Sequence, residues 1–414
     1  MVKLDKGIAE TAAPAGGAAI DFDAPATIDD PYPHYHALRA AAPVYPSPWG
    51  DWYLTRFADV AMVLTDQRFQ RQSPIGANPI SGQARAATPL DRMLSRWMVF
   101  MDPPAHTRLR RLAGKAFTPK LVASLRGDIG VIAGQLLDAA LAGADIDLIA
   151  DFAYPLPVIV ISRILGVPAE DYDKLKDWSG QLTRALDTGH AEELATGIPA
   201  TEELTAYMSA LIAARRRAPR DDLISAMLAD SAGDDALSEE ELLANCIFLL
   251  WAGHETTKNL IGNGTLSLIR HPGEFARLAA DPGLMERAVD EFLRYESPIQ
   301  KIGRWTRDAV EIGGETVPAG SYVVSIFGAA NRDPAQFPEP DRLDIGRRNG
   351  TSLAFGKGIH HCLGYGLAKL EGEVAFAALL ERVSAIELRE AVPCWQSNSS
   401  IRGLERLPVV VRRR

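Results

Sequence analysis

The stretch Phe355-Gly356-Lys357-Gly358-Ile359-His360-His361-Cys362-Leu363-Gly364 sets one cysteine on a glycine-rich loop just ahead of a helical pattern, Leu363 to Leu379. A lone thiolate presented in this way suits a soft axial ligand for haem iron, whereas a zinc site would gather three or four ligands. Glycines at 356, 358 and 364 would let the backbone turn sharply and approach a flat ligand. The amino end of the following helix would favour thiolate over thiol. The chemistry expected from such a loop is oxygen activation. Cys246 and Cys394 lie too far away in sequence to share a site with it, and they read as small buried apolar residues.

A second chemical feature interrupts the most apolar helix of the chain. Ile247-Phe248-Leu249-Leu250-Trp251-Ala252-Gly253 is apolar all round, and His254-Glu255-Thr256-Thr257 follows at once. The helix is bounded by a candidate capping box, Ser238 and Glu241, and by His271-Pro272. At about 1.5 Å per residue it would run roughly 50 Å, through the core of a whole domain. A polar notch there needs a reason. Thr256 either bonds back to a carbonyl one turn earlier or turns its hydroxyl to a groove. A zinc-protease reading fails, because His-Glu-x-x-His needs histidine where Lys258 stands.

These features need a scaffold. The chain has 414 residues, 47% of them hydrophobic, enough for a sizeable core. With 44 Lys and Arg against 53 Asp and Glu the formal charge is -9, which argues against nucleic acid as a ligand. No run approaches the roughly 18 apolar residues of a membrane span. Met1 to Ile20 lacks the basic-then-apolar order of a signal peptide. The expectation is a cytoplasmic monomer. Residues 1–20 read as a disordered arm rich in Ala and Gly, and 21–414 as one domain, mainly α with small β-sheets. The sheets start with a hairpin, Val310-Glu311-Ile312 and Glu315-Thr316-Val317 around Gly313-Gly314, followed by a strand at Tyr322 to Ile326.

Further motifs stand in a telling order: Asp102-Pro103-Pro104-Ala105-His106-Thr107-Arg108-Leu109-Arg110-Arg111, Ala252-Gly253-His254-Glu255-Thr256-Thr257, Glu291-Phe292-Leu293-Arg294, Asn331-Arg332-Asp333-Pro334 and Pro340-Asp341-Arg342-Leu343, then the cysteine loop. Together they resemble the cytochrome P450 family from about residue 25 to 414. The resemblance implies that family's fold, a long central helix over a b-type haem (iron protoporphyrin IX) with Cys362 as axial ligand. Phe355, Gly356, Gly364 and Ala252 would lie against the cofactor. His106 and Arg110, four apart on one helical face, would bind a propionate, with Arg304 and His360 as further propionate ligands. Glu291, Arg294 and Arg342 would form a buried structural network. Gly253 and Thr256 would open a groove on the distal side, with Glu255 connecting to a proton source. His361 reads as a surface residue.

The activity so implied is a monooxygenase that inserts one atom of O2 into a lipophilic small molecule. No flavin or nicotinamide fingerprint is present, so a separate ferredoxin and its reductase would supply electrons. Arg108, Arg111, Lys115, Lys357 and Lys369 are the cations of a docking face for such an acidic carrier. Substrate walls are expected at Phe248, Trp251, Ala252, Ile299, Gln300 and Ile302, with additions from residues 72–99 and 175–200. Rival readings are a peroxygenase using H2O2, against which Glu255 and Thr256 argue, and a non-catalytic haem sensor, which should carry an output module. A substrate tethered to a carrier protein is equally compatible.

Overall fold

One helix, Glu239–Arg270, organises the molecule, and its ends follow the expected chemistry. The Ser238 hydroxyl accepts from the Glu241 N–H at 3.1 Å, and the Glu241 carboxylate accepts from the Ser238 N–H at 2.9 Å. Glu239, Glu240 and Glu241 complement the positive end of the helix dipole. His271 closes the helix, and Pro272 opens the next one, Pro272–Ala280, where its missing N–H is harmless. The computed structural model describes residues 20–414 except 74–87, 144, 189–190, 230–236 and 349. The expected arm at 1–20 therefore lies almost wholly outside the described residues, as do parts of the expected walls at 72–99 and 175–200.

The long helix threads two apolar cores. Its amino-terminal half gives Leu242, Cys246, Ile247 and Leu250 to a cluster with Trp97, Leu182, Leu204 and Met208. Its carboxy-terminal half gives Leu260, Ile261 and Leu266 to a cluster with Phe152, Phe292 and Phe376. Residues 251–259 lie between the two, which is where the polar notch falls. A Cβ at Gly253 would meet Ile161 Cγ1 at 2.7 Å, so helix Pro155–Leu165 crosses in close contact there. Gly253 therefore serves helix packing on the side of Ile161. The helix is continuous through the notch.

The sheets are small, as expected. Five strands run in the order Val44–Pro46, Asp51–Leu54, Tyr322–Ile326, Lys301–Thr306, Phe69–Gln70, antiparallel except for the parallel pair Asp51–Leu54 and Tyr322–Ile326. The hairpin Val310–Ile312 with Glu315–Val317 turns on Gly313 and Gly314, both at positive φ, and forms a separate ribbon. A second ribbon, Cys394–Trp395 with Leu404–Arg406, carries a loop back toward the middle of the long helix. Among the described residues no helix is long and apolar enough to cross a membrane.

A buried ionic network holds the approach to the cysteine loop. Arg294 grips Glu291 bidentately, Nε to Oε2 and Nη2 to Oε1 at 2.8 Å each, with both side chains 2% exposed. Arg294 Nη1 also donates to the carbonyls of Asn331 and Pro340, and the Asn331 side chain accepts the Leu353 N–H at 2.7 Å, just before the loop. The third member is Arg347, not Arg342. Arg347 Nε lies 3.1 Å from both Glu291 oxygens, and its remaining donors meet the carbonyls of Pro338, Glu339 and Arg342. The Arg342 side chain points outward to Glu339, and only its carbonyl joins the network. Buried charges are tolerated only when every donor and acceptor is matched, and five residues beyond Arg342 the chain is positioned to do that.

Candidate cofactor and active site

The cysteine loop is shaped by two glycines. Gly356 and Gly358 have φ of +67° and +73°, and a Cβ on Gly358 would come within 2.4 Å of the Leu64 carbonyl oxygen. A short turn over Gly358–His360 follows, and the Cys362 N–H closes the loop on the Phe355 carbonyl at 2.9 Å. Gly364 departs from expectation: its φ is -89°, and the nearest atom to a Cβ is Phe117 Cε1 at 3.9 Å. The helix behind the cysteine, Tyr365–Arg382, starts two residues later than the sequence suggests. Burial pushes the Cys362 thiol up to about 11, against lowering by the Gly364 N–H and Arg110. Desolvation thus outweighs the Gly364 N–H and Arg110, and a directly bonded metal cation is what would favour the thiolate here. Among the described residues no three His, Cys, Asp or Glu side chains gather as a metal site, so this thiol would serve alone.

Beside the loop lies a group of buried basic side chains. His106 and His360 have ring centroids 4.1 Å apart, and His106 Nδ1 and His360 Nε2 are buried with no hydrogen-bond partner. Arg304 is 3% exposed, and among the described residues its guanidinium bonds only the Gly303 carbonyl, at 3.3 Å. Burial, reinforced by Arg71, holds that guanidinium well below its ordinary range. Burial and Arg110 bring His106 down to about 4, and burial with Arg304 lowers His360. These groups are short of negative charge. A flat ligand with two carboxylates and an iron fits them: the orphaned ring nitrogens and Arg304 can take the carboxylates, and Cys362 the metal. Arg110 is placed slightly apart, its Nη2 donating to the His361 carbonyl at 2.5 Å, next to the cysteine. His361 itself is half-buried, edge-on to Tyr365.

On the long helix Phe248, Ala252 and Thr256, spaced by four, stay half-exposed while Leu249, Leu250, Glu255 and Thr257 are buried. The Thr256 hydroxyl donates to the Ala252 carbonyl at 3.3 Å, long for a hydroxyl bond, so it is weakly held and able to reorient. Glu255 is turned away from the stripe into a dry contact with Lys258, three residues on, their side chains 2% and 4% exposed. Burial raises the Glu255 pKa, but Lys258, His254 and a hydrogen bond from Gln396 together bring it below the usual carboxylate range. Its second oxygen lies 3.5 Å from the Thr183 hydroxyl, which also accepts from Trp251 Nε1 at 2.9 Å.

Around this stripe the structure sorts the expected substrate walls. Phe248 and Trp251 pack on Trp97, at centroid distances of 5.1 and 5.3 Å. Ile299 and Ile302 are half-buried, and Ile299 pairs with Ile401 from the loop between Trp395 and Leu404. Gln300 is not a wall. It is 2% exposed, its oxygen accepts from the Tyr35 hydroxyl, and its nitrogen donates to the Ser297 carbonyl. Sequence reasoning missed Lys258, Thr183, Gln396, Ile401 and Arg71. Lys258 alone had a local signal, its spacing of three from Glu255. Of the expected docking cations, Arg108 pairs with Glu241, and Lys369 with Asp290 and Glu286, while Arg111, Lys115 and Lys357 are exposed.

Comparison with known proteins agrees with this geometry. Residues 190–281 and 283–401 match the sequence model of the family described as Cytochrome P450. The chain is 42% identical over 393 residues to the vitamin D(3) 25-hydroxylase of Pseudonocardia autotrophica, covering 92% of this chain and 94% of that protein. It is 38% identical over 386 residues to the biotin biosynthesis cytochrome P450 of Bacillus subtilis (strain 168), covering 92% and 96%. The crystal structure of P450BioI in complex with hexadec-9Z-enoic acid ligated acyl carrier protein superposes with a TM-score of 0.86 at 38% identity, over 93% of this chain and 99% of that one. Fold, thiol loop and buried cations converge with these matches, and the chain belongs to the cytochrome P450 family, an oxidoreductase of that class that binds haem b.

Proposed function

We propose that this chain, as a single haem domain over residues 21–414, inserts one atom of O2 into a lipophilic small molecule in the cytoplasm, drawing electrons from a separate ferredoxin and ferredoxin reductase. The observation that carries the reading is the stripe of Phe248, Ala252 and Thr256, left partly accessible in the middle of the long helix, where Phe248 packs beside the Trp97 ring. When bound, haem b supplies the activation of dioxygen and its transfer into a C–H bond. Cys362 holds the iron. Arg304 would neutralise and His106 and His360 would hydrogen-bond the carboxylates, with Arg110 beside the sulfur, and Phe355, Gly356, Gly364 and Ala252 would border the ring. Thr256 offers a weakly held hydroxyl that orients a proton toward the groove. Glu255, kept as a carboxylate by Lys258, receives protons through Thr183 or Gln396 and returns them.

Phe248, Trp251, Ile299 and Ile302, joined by Ile401, exclude water and choose an apolar substrate. The relatives named for vitamin D(3) and for a carrier-bound hexadecenoic acid act on or hold lipophilic molecules, which supports the same class here. Arg111, Lys115 and Lys357 are exposed near the cysteine loop, where a Cβ on Gly114 would meet Leu363 Cδ1 at 3.7 Å, and they support docking of an acidic electron carrier on that face. The test is a spin-state titration with a lipophilic library, followed by turnover with ferredoxin and reductase. Product formed in step with reductant supports the proposal. Product formed with H2O2 alone, and none with reductant, replaces it with a peroxygenase.

A further inference from the structure

The carboxylate-binding side holds one more cation than the sequence motifs provide. Arg71 leaves strand Phe69–Gln70 and is 6% exposed, stacked 4.8 Å from the Phe100 ring. Its Nε donates to the Val99 carbonyl at 2.8 Å and its Nη1 to the Gly303 carbonyl. That same Gly303 oxygen is the acceptor of Arg304 Nη1. Two buried guanidinium groups therefore meet at one carbonyl oxygen. Burial holds both below their ordinary range, and Arg71 lowers Arg304 further.

Asp102 is the one carboxylate that acts on this pair among the described residues, and its oxygens accept the backbone N–H groups of Arg71 and Gln72 rather than a guanidinium. Residues 74–87, which follow directly, contain no Asp or Glu. No acceptor among the described residues meets Arg71 Nη2. Two like charges out of water, with Arg71 Nη2 lacking an acceptor among the described residues and Asp102 turned to backbone N–H groups, form a site built for an external anion. The unfilled need is for more than one negative charge, and the haem this family binds brings two carboxylates.

We infer that Arg71 is a second guanidinium for the carboxylates of the cofactor, acting with Arg304 to hold and electrostatically tune it. This rests on the reading of Cys362 and Arg304 as haem ligands and adds a residue to it. The competing role is structural: Arg71 would merely tie the strand to Val99 and Gly303 through its fork. The two roles separate through charge and shape, because lysine keeps the charge and loses the fork.

The experiment uses the purified holoprotein as wild type, Arg71→Met and Arg71→Lys, and measures haem transfer to apomyoglobin and the midpoint reduction potential. Arg71→Met is expected to release haem at least about tenfold faster, the loss of one charge-assisted contact, with a more negative potential because a nearby positive charge favours the reduced state. Arg71→Lys should retain haem within about threefold of wild type and keep its potential. Unchanged haem release in Arg71→Met overturns the inference. So does an Arg71→Lys protein that loses haem as fast as Arg71→Met while both potentials stay put, which is the structural outcome. Should Arg71→Met fail to fold, the Arg71→Lys potential and release rate still decide. Failure of the underlying reading looks different: the wild type would lack a sulfur-ligated carbon monoxide spectrum.

Discussion

Arg342 and Arg347 are five residues apart, and the structure gives them opposite importance. Replacing Arg347 with alanine removes two contacts to Glu291 at 3.1 Å and the three that tie Pro338, Glu339 and Arg342. Its side chain is 11% exposed and Glu291 is 2% exposed, so solvent cannot replace what is lost. Glu291 keeps its bidentate bond to Arg294 and the Asp344 N–H, which limits the damage to about 3 kcal/mol rather than the full penalty of a stranded buried charge. Arg342 and Glu339 are 61% and 71% exposed, and breaking that pair should cost about 0.5 kcal/mol or less. With a denaturant slope of about 3 kcal/mol per molar urea, the midpoint should fall by roughly 1 M for Arg347→Ala and by about 0.2 M or less for Arg342→Ala. The assay follows the sulfur-ligated carbon monoxide band in rising urea, comparing midpoints because a cofactor-bound chain need not unfold in two states. Equal shifts in the two variants would refute the assignment.

The remaining expectations concern the loop and the relay. Gly358→Ala should abolish thiolate ligation, because its Cβ would collide with a backbone carbonyl at 2.4 Å and its φ is +73°, while Gly364→Ala should keep the carbon monoxide band of wild type. If both lose it, the account of the loop is wrong. Thr256→Ala should bind haem normally but divert reductant to H2O2; product fully coupled to reductant would remove Thr256 from proton handling. Glu255 has a depressed pKa in the folded protein, so it contributes stability above its ordinary value of 4.5, lost as pH falls through the folded value. In Lys258→Met the largest lowering influence is lost and only His254 and Gln396 remain against burial, so the folded pKa rises and the stability that the ionised carboxylate contributes above 4.5 should shrink. Thermal midpoints against pH that keep the wild-type slope in Lys258→Met would exclude the pairing.

The features legible in the sequence were those fixed by local covalent order. The long helix announced both ends, because Ser238 and Glu241 cap each other across three residues and Pro272 cannot continue a helix. The hairpin at Val310–Val317 and the strand at Tyr322–Ile326 were equally local, set by paired glycines and alternation. Cys362, His106, Arg304 and His360 could be named because their neighbours carry motifs, yet their convergence is a tertiary fact: three segments, far apart in sequence, meet in one place. What local order could not reveal was partnership. Gln300 stands in the right strand region but faces Tyr35, Gly253 packs on Ile161, and the glycine at 364 is not demanded by its backbone. The choice between Arg342 and Arg347 depends on how the chain wraps Glu291, and the pairing of Arg71 with Arg304 depends on two strands laid side by side. Sequence alone thus marked the candidate axial sulfur, the central helix and the class of chemistry, since those rest on residue type, short spacing and the order of the motifs. Only the tertiary structure decided which charges are buried together, because desolvation and Coulomb energy depend on distances that no local pattern encodes.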